Sequence, residues 1–105
     1  MISQIHLKTL SKQLIKAAHN SLQRNDPYGA ESFFSEAIGI EEILTGQPTL
    51  GVSTTLWTDR AICRNALKKY EQALSDCDLA LDCNPKCTKT IIVKGQSSDN
   101  HYEPL

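Results

Sequence analysis

The sequence predicts an all-α fold, a helix–turn–helix repeat solenoid of about two hairpins plus one extra helix. Three observations carry this. Apolar residues recur at three- and four-residue steps along most of the chain, the period of amphipathic helices. Trp57, Ala61, Tyr70, Ala73, Cys77, Ala80 and Pro85 fall at the spacings of a single helix–turn–helix unit of ~34 residues. The triplet Ala30, Phe34, Ala37 reproduces the triplet Ala73, Cys77, Ala80, each pair 43 residues apart, which marks an internal repeat.

The first helix is expected from about His6 to Gln23, with Leu7, Leu10, Leu14, Ala17, Ala18 and Leu22 on its apolar face and Lys8, Lys12 and Lys16 on the other arc. Arg24-Asn25-Asp26-Pro27 then breaks it. Asn25 tolerates the left-handed conformation, Asp26 is a good N-cap and Pro27 suits a first helical position. The second helix runs from Pro27 to about Leu44, with Ala30, Phe33, Phe34, Ala37, Ile38 and Leu44 as its stripe and Gly46 as its stop. Gly39 inside it costs about 1 kcal/mol relative to alanine. The repeat offset exceeds the usual ~34 by about nine residues. That excess falls in Glu41–Ser53, read as an extended second helix followed by a surface loop, the insertion over 45–53, which adds little loop-closure entropy.

The third helix is expected over Thr54–Leu67, with Trp57, Ala61, Arg64 and Leu67 facing its partner. That partner, the fourth helix, runs from Tyr70 to about Cys83 and presents Ala73, Leu74, Cys77, Ala80 and Leu81. Small residues at the crossings let the backbones approach while Trp57 and Tyr70 fill the remaining space. Pro85 ends the unit. A fifth helix covers Thr88–Gln96, with Ile91, Ile92 and Val93 apolar, and residues 97–105 read as a disordered tail. In domain form this is a helical domain over 6–96: repeat one at 11–44, the insertion, repeat two at 54–87, and the start of a third repeat at 88–96. The fifth helix lacks the partner that repeat architecture supplies, so either it serves as a capping helix or the chain is a shortened form of a longer repeat protein, the second being preferred.

Composition narrows the function. At 105 residues and a formal net charge of −1, the chain has no electrostatic case for nucleic acid or an anionic membrane. No apolar run approaches the roughly 20 residues that span a bilayer, and the N-terminus has no signal-peptide pattern. A cytoplasmic protein is expected. The four cysteines, Cys63, Cys77, Cys83 and Cys87, lack a secretory context, so disulfides are not expected. Cys83 and Cys87 flank Asn84-Pro85 without a CxxC, and the histidine beyond them, His101, lies in the polar tail, so neither a metal nor another cofactor is expected. Cys63 and Cys77 read as small buried hydrophobes. No phosphate loop, GxSxG or HExxH pattern is present, and no enzyme is expected. Arg60 and Arg64 are read as burying their stems and pairing with nearby carboxylates. Asp76 and Asp78 are read as a solvated helix face, and Lys68-Lys69 as a solvated turn.

The unit from Trp57 to Pro85 resembles a tetratricopeptide repeat, strongly over Trp57–Lys94 and weakly from about Lys12 onward. The phrase Trp57-Thr58-Asp59-Arg60-Ala61, with Asp76-Cys77-Asp78 and Asn84-Pro85, resembles the subgroup found in chaperone adaptors and axonemal-dynein assembly factors, where the phrase usually reads Asn-Arg-Ala. The resemblance implies a non-catalytic scaffold whose first, third and fifth helices line a concave groove for an extended peptide or helix. In that subgroup a heat-shock chaperone's terminal carboxylate is often held by a two-carboxylate clamp of Lys, Asn and Arg side chains. Lys89 matches a clamp lysine, but Asp59 replaces the asparagine and Val93 the arginine. Without gaps the first-helix pair falls on Ile15 and His19, the preferred register; shifted by one it falls on Lys16 and Asn20.

The groove residues implied are Lys16, His19, Asp59, Ile62, Asn65, Lys89 and Val93. Their mixed character suits an internal peptide or helix better than a free carboxylate. The expected function is a protein-interaction adaptor, in a co-chaperone or assembly setting. The alternative is a structural fragment that self-associates or stacks on other repeats through Ile91, Ile92 and Val93.

Overall fold

In the computed structural model, which describes residues 3–101, the chain forms five helices: α1 (Gln4–Gln23), α2 (Pro27–Thr45), α3 (Thr54–Ala66), α4 (Tyr70–Cys83) and α5 (Thr88–His101). No strand occurs among the described residues. Local chemistry sets the boundaries. Ser3 caps α1 by accepting from His6 N–H, Asp26 caps α2 through Gly29 N–H with Pro27 beside it, and Ser53 caps α3 through Leu56 N–H. The two tight turns each need one left-handed residue, Asn25 (φ 62°) and Lys68 (φ 63°). Asparagine tolerates that conformation, whereas lysine carries the strain that the glycine preference implies. Gly46 closes α2 at φ 69°.

Short turns make α1/α2 and α3/α4 hairpins, α2 packs on α3, and α5 packs on both α4 and α3. Ala18, Ala30, Phe34, Ala37, Ile38, Val52, Leu56, Trp57, Cys63 and Ala80 form one buried cluster joining the hairpins. Ala61, Ala73, Cys77 and Val93 form a second, under α5. The repeat alanines are all fully buried, as close helix crossings require. Tyr70 is only half-buried, so Trp57 does more of the filling.

Three details depart from the sequence reading. Leu10 is exposed while Ser11, one residue on, is buried, so the core-facing stripe of α1 is narrower than its leucines suggest. The 45–53 insertion is not merely a surface loop. Val52 enters the core, Ser53 N–H donates to Glu41 Oε2, and the Trp57 indole N–H donates to Thr49 O. Gly51 is required there, because a Cβ would collide with Thr45 Oγ1 and the Gln47 carbonyl. Finally, α5 runs past Gln96 to His101, so 97–101 is helix rather than disordered tail. Ser97 is fully buried, with Oγ 2.7 Å from Asn65 Oδ1 and donating to Val93 O, an anchor whose polarity hid it. Residues 102–105 of that expected tail, and the His101 side chain, lie outside the described residues.

Candidate functional site

Helices α1, α3 and α5 meet along one face, where His19 of α1 approaches Asp59 of α3 and two polar seams tie α5 to α3. The buried Thr58 and Thr90 hydroxyls lie 2.7 Å apart. Thr58 also donates to Thr54 O, which leaves Thr90 to donate to Thr58. Asn65 meets Ser97 one turn-pair further on. Both pairs span 32 residues, close to one repeat. That near-coincidence was readable in principle, yet small polar side chains carry no periodic signal on their own.

At the centre of the face Asp59 of α3 sits between Lys89 of α5 and His19 of α1. Lys89 Nζ donates to Asp59 Oδ1 at 3.2 Å, and His19 Nε2 lies 3.7 Å from Asp59 Oδ2. The carboxylate is buried while both neighbours are half-exposed. The imidazole is seated edge-on over Phe34, with centroids 5.4 Å apart. Ile62 is half-buried against the second core cluster, and Asn65 is half-buried at the Ser97 seam. Of the other expected groove residues, Lys16 is exposed and makes no ion pair among the described residues. Val93 is buried in the core, so it supports the face from below instead of lining it. His19 and not Asn20 points to Asp59, and Ile15 packs on the core, the arrangement of the ungapped register.

Behind this face lies a second charge cluster. Arg60 clasps Asp76 with both N–H groups, Nε–Oδ2 at 3.0 Å and Nη2–Oδ1 at 2.8 Å; it also donates to Ser35 Oγ and covers the Trp57 ring at 5.1 Å. Arg64 donates to Asp76 Oδ2 at 2.9 Å and to Glu31 Oε2 at 2.9 Å, while Lys69 reaches Glu31 Oε1 at 2.9 Å. The pairing expected of Arg60 and Arg64 is present. Asp76, in contrast, is not on a solvated face, because the two guanidiniums cover it; Asp78 is exposed and pairs with Lys94. Burial works to raise the Glu31 pKa, but hydrogen bonds from Lys69 and Arg64 and their positive charge hold it below the ordinary value. The network stitches α2, α3 and α4 together.

The thiols are free. Burial first, then neighbouring carboxylates, push Cys63 up to about 12 and Cys77 up to about 11, so both are inert. Cys87 is lowered, chiefly by a side-chain hydrogen bond with Thr90. Among the described residues no group of three or more His, Cys, Asp and Glu could hold a metal ion, and no helix is long and apolar enough to cross a membrane.

Two curated relatives match the chain. Mouse "Tetratricopeptide repeat protein 12" is 31% identical over 90 residues, 86% of this chain and 12% of the relative. The human protein of the same name is 44% identical over 43 residues, 41% of this chain and 6% of the relative.

The chain resembles a tetratricopeptide-repeat protein over most of its length.

No protein-family model matches it, and no solved structure does either. The match spans about an eighth of the mouse relative's length.

Proposed function

We propose that this chain is an adaptor that holds an extended peptide or a helix of another protein along the α1–α3–α5 face. The observation that supports this reading is the convergence of His19, Asp59 and Lys89 from three helices, beside the half-buried Ile62 and Asn65. Such a surface offers a partly exposed apolar side chain beside polar groups that converge from three helices, material for specific recognition of a peptide or helix. A co-chaperone or complex-assembly setting in the cytoplasm is the corresponding cellular proposal, and it rests on the resemblance carried by Trp57–Ala61. For a heat-shock chaperone's terminal carboxylate, the clamp is incomplete: Lys89 is engaged by Asp59, and Val93 is buried where an arginine would reach out. An internal segment of a partner suits the face better. No catalytic role is proposed.

Selection of peptides from a random displayed library on the immobilised chain tests this directly. Binders whose amide-shift footprint falls on α1, α3 and α5 support it. Binders that footprint only the outer faces of α2 and α4, or no binders, overturn it.

A second reading is favoured by one observation, the half-exposed Ile91 and Ile92 on α5. In it, that surface meets a second copy or a further repeat. Sedimentation of the wild type against Ile92→Glu decides: a concentration-dependent dimer lost in the variant supports it, and a monomer at all concentrations refutes self-association.

A further inference from the structure

We infer that Asp59 is the receptor for a cationic side chain, lysine or arginine, of the partner segment, with Lys89 as an exchangeable placeholder. This rests on the α1–α3–α5 face being the binding surface, and it names the chemistry that surface selects.

Asp76 serves as an internal standard. The two carboxylates are buried almost equally, Asp59 at 4% and Asp76 at 1% exposure. Asp76 accepts three guanidinium N–H bonds at 2.8, 2.9 and 3.0 Å, the short, charge-assisted geometry a buried carboxylate needs. Asp59 has one ammonium contact at 3.2 Å and one imidazole at 3.7 Å. The first is long for an N⁺–H···O⁻ bond and the second exceeds hydrogen-bond range. A carboxylate accepts at about four positions, so Asp59 keeps acceptor capacity that Asp76 has filled.

The neighbours of Asp59 are also built to move. Lys89 and His19 have side chains 59% and 50% exposed, whereas the arginines on Asp76 are mostly covered. A half-solvated ammonium loses little by returning to water, because its pairing energy was small at the outset. An incoming guanidinium or ammonium would replace a long ion pair with a shorter, better shielded one. An incoming carboxylate meets the opposite situation: its counter-charge is already engaged, and Asp59 repels it at close range. The same residue that weakens a carboxylate clamp thus provides a site of reversed polarity.

The test uses the full chain and three capped peptides built on a sequence recovered in the selection above, differing only at the central residue: Arg, Gln or Glu. Amide shifts give the affinities for wild type, Asp59→Asn and Lys89→Met. The wild type is expected to bind the Arg peptide about tenfold more tightly than the Gln peptide, the scale of one charge-assisted contact. That preference should vanish in Asp59→Asn and persist or grow in Lys89→Met, where the placeholder is gone. Asp59→Asn keeps the side-chain shape and leaves only half-exposed cations behind, so its melting midpoint should stay close to wild type and report an intact fold. Tightest binding of the Glu peptide, an Arg preference that survives Asp59→Asn, or one lost in Lys89→Met would each overturn the inference. Equal binding of all three peptides would overturn it while leaving the binding face intact; a selection yielding no binder at all would remove the face and the inference together.

Discussion

Replacing Asp76 by alanine should be among the most damaging single changes in this chain. Its carboxylate accepts three bonds from Arg60 and Arg64, whose side chains are 14% and 18% exposed. After the change, Arg60 keeps only Ser35 and the Trp57 ring, and Arg64 keeps Glu31. Removing one partner of a buried pair costs about 3–5 kcal/mol; the surviving partners place this case near the lower end, about 3 kcal/mol. At roughly 4–8 °C per kcal/mol for a domain of this size, the melting midpoint should drop by about 12–24 °C. Thermal denaturation followed by circular dichroism at helical wavelengths reads this, with Asp78→Ala as the control. Asp78 pairs with Lys94 in solvent, where the hydrogen bond that Lys94 Nζ donates to Asp78 raises the lysine pKa, and its loss should leave the midpoint unchanged. If Asp76→Ala melts within about 3 °C of wild type, the buried network is not the brace described here.

Other expectations concern packing, acid stability and thiol reactivity. Trp57→Ala empties the junction between hairpins and should cost about 3–5 kcal/mol in urea denaturation, since its surroundings are held by alanines that cannot collapse far. Gly39→Ala should stabilise by about 1 kcal/mol, because nothing lies near the added Cβ, whereas Gly51→Ala should destabilise through its collision with Thr45 and Gln47. The folded Glu31 pKa lies below its ordinary value of 4.5, so the folded chain binds fewer protons there than the unfolded chain. Its stabilising contribution is present above that value and is lost as pH falls through the folded pKa; Glu31→Gln should flatten that part of the acid-stability curve. Brief alkylation at neutral pH should label Cys87 first and spare Cys63 and Cys77, as mapped by peptide mass spectrometry; early labelling of Cys63 would contradict its burial.

The helices, their order and their turns were legible because each rests on a local rule: apolar spacing for the faces, Asp26-Pro27 and Ser53 for the starts, Asn25 and Gly46 for the stops. What was not legible depends on partners distant in sequence. Asp76 looks like any exposed carboxylate until α3 folds two arginines over it. Ser97 looks like a tail residue until Asn65, 32 positions earlier, packs its side-chain amide against it. Val52 reads as loop because its segment has no period, yet the tight turn at Gly51 drives it inward. For the site, the family resemblance put Asp59, Lys89 and His19 on one groove, and the structure adds that Asp59 is buried and Lys89 is engaged by it. Val93 was misread because a helix residue one turn from Lys89 can face either the groove or the core, and only the packing of α5 decides.

The central claim is that the partner lies on the α1–α3–α5 face. The most direct measurement introduces a photo-reactive amino acid at Ile62 on that face and, separately, at Glu36, which is exposed on α2. Both chains are irradiated in living cells, and the adducts are identified by mass spectrometry. Specific adducts from position 62 that are absent from position 36 are expected. Adducts of equal yield from both positions, or from position 36 alone, would contradict the account.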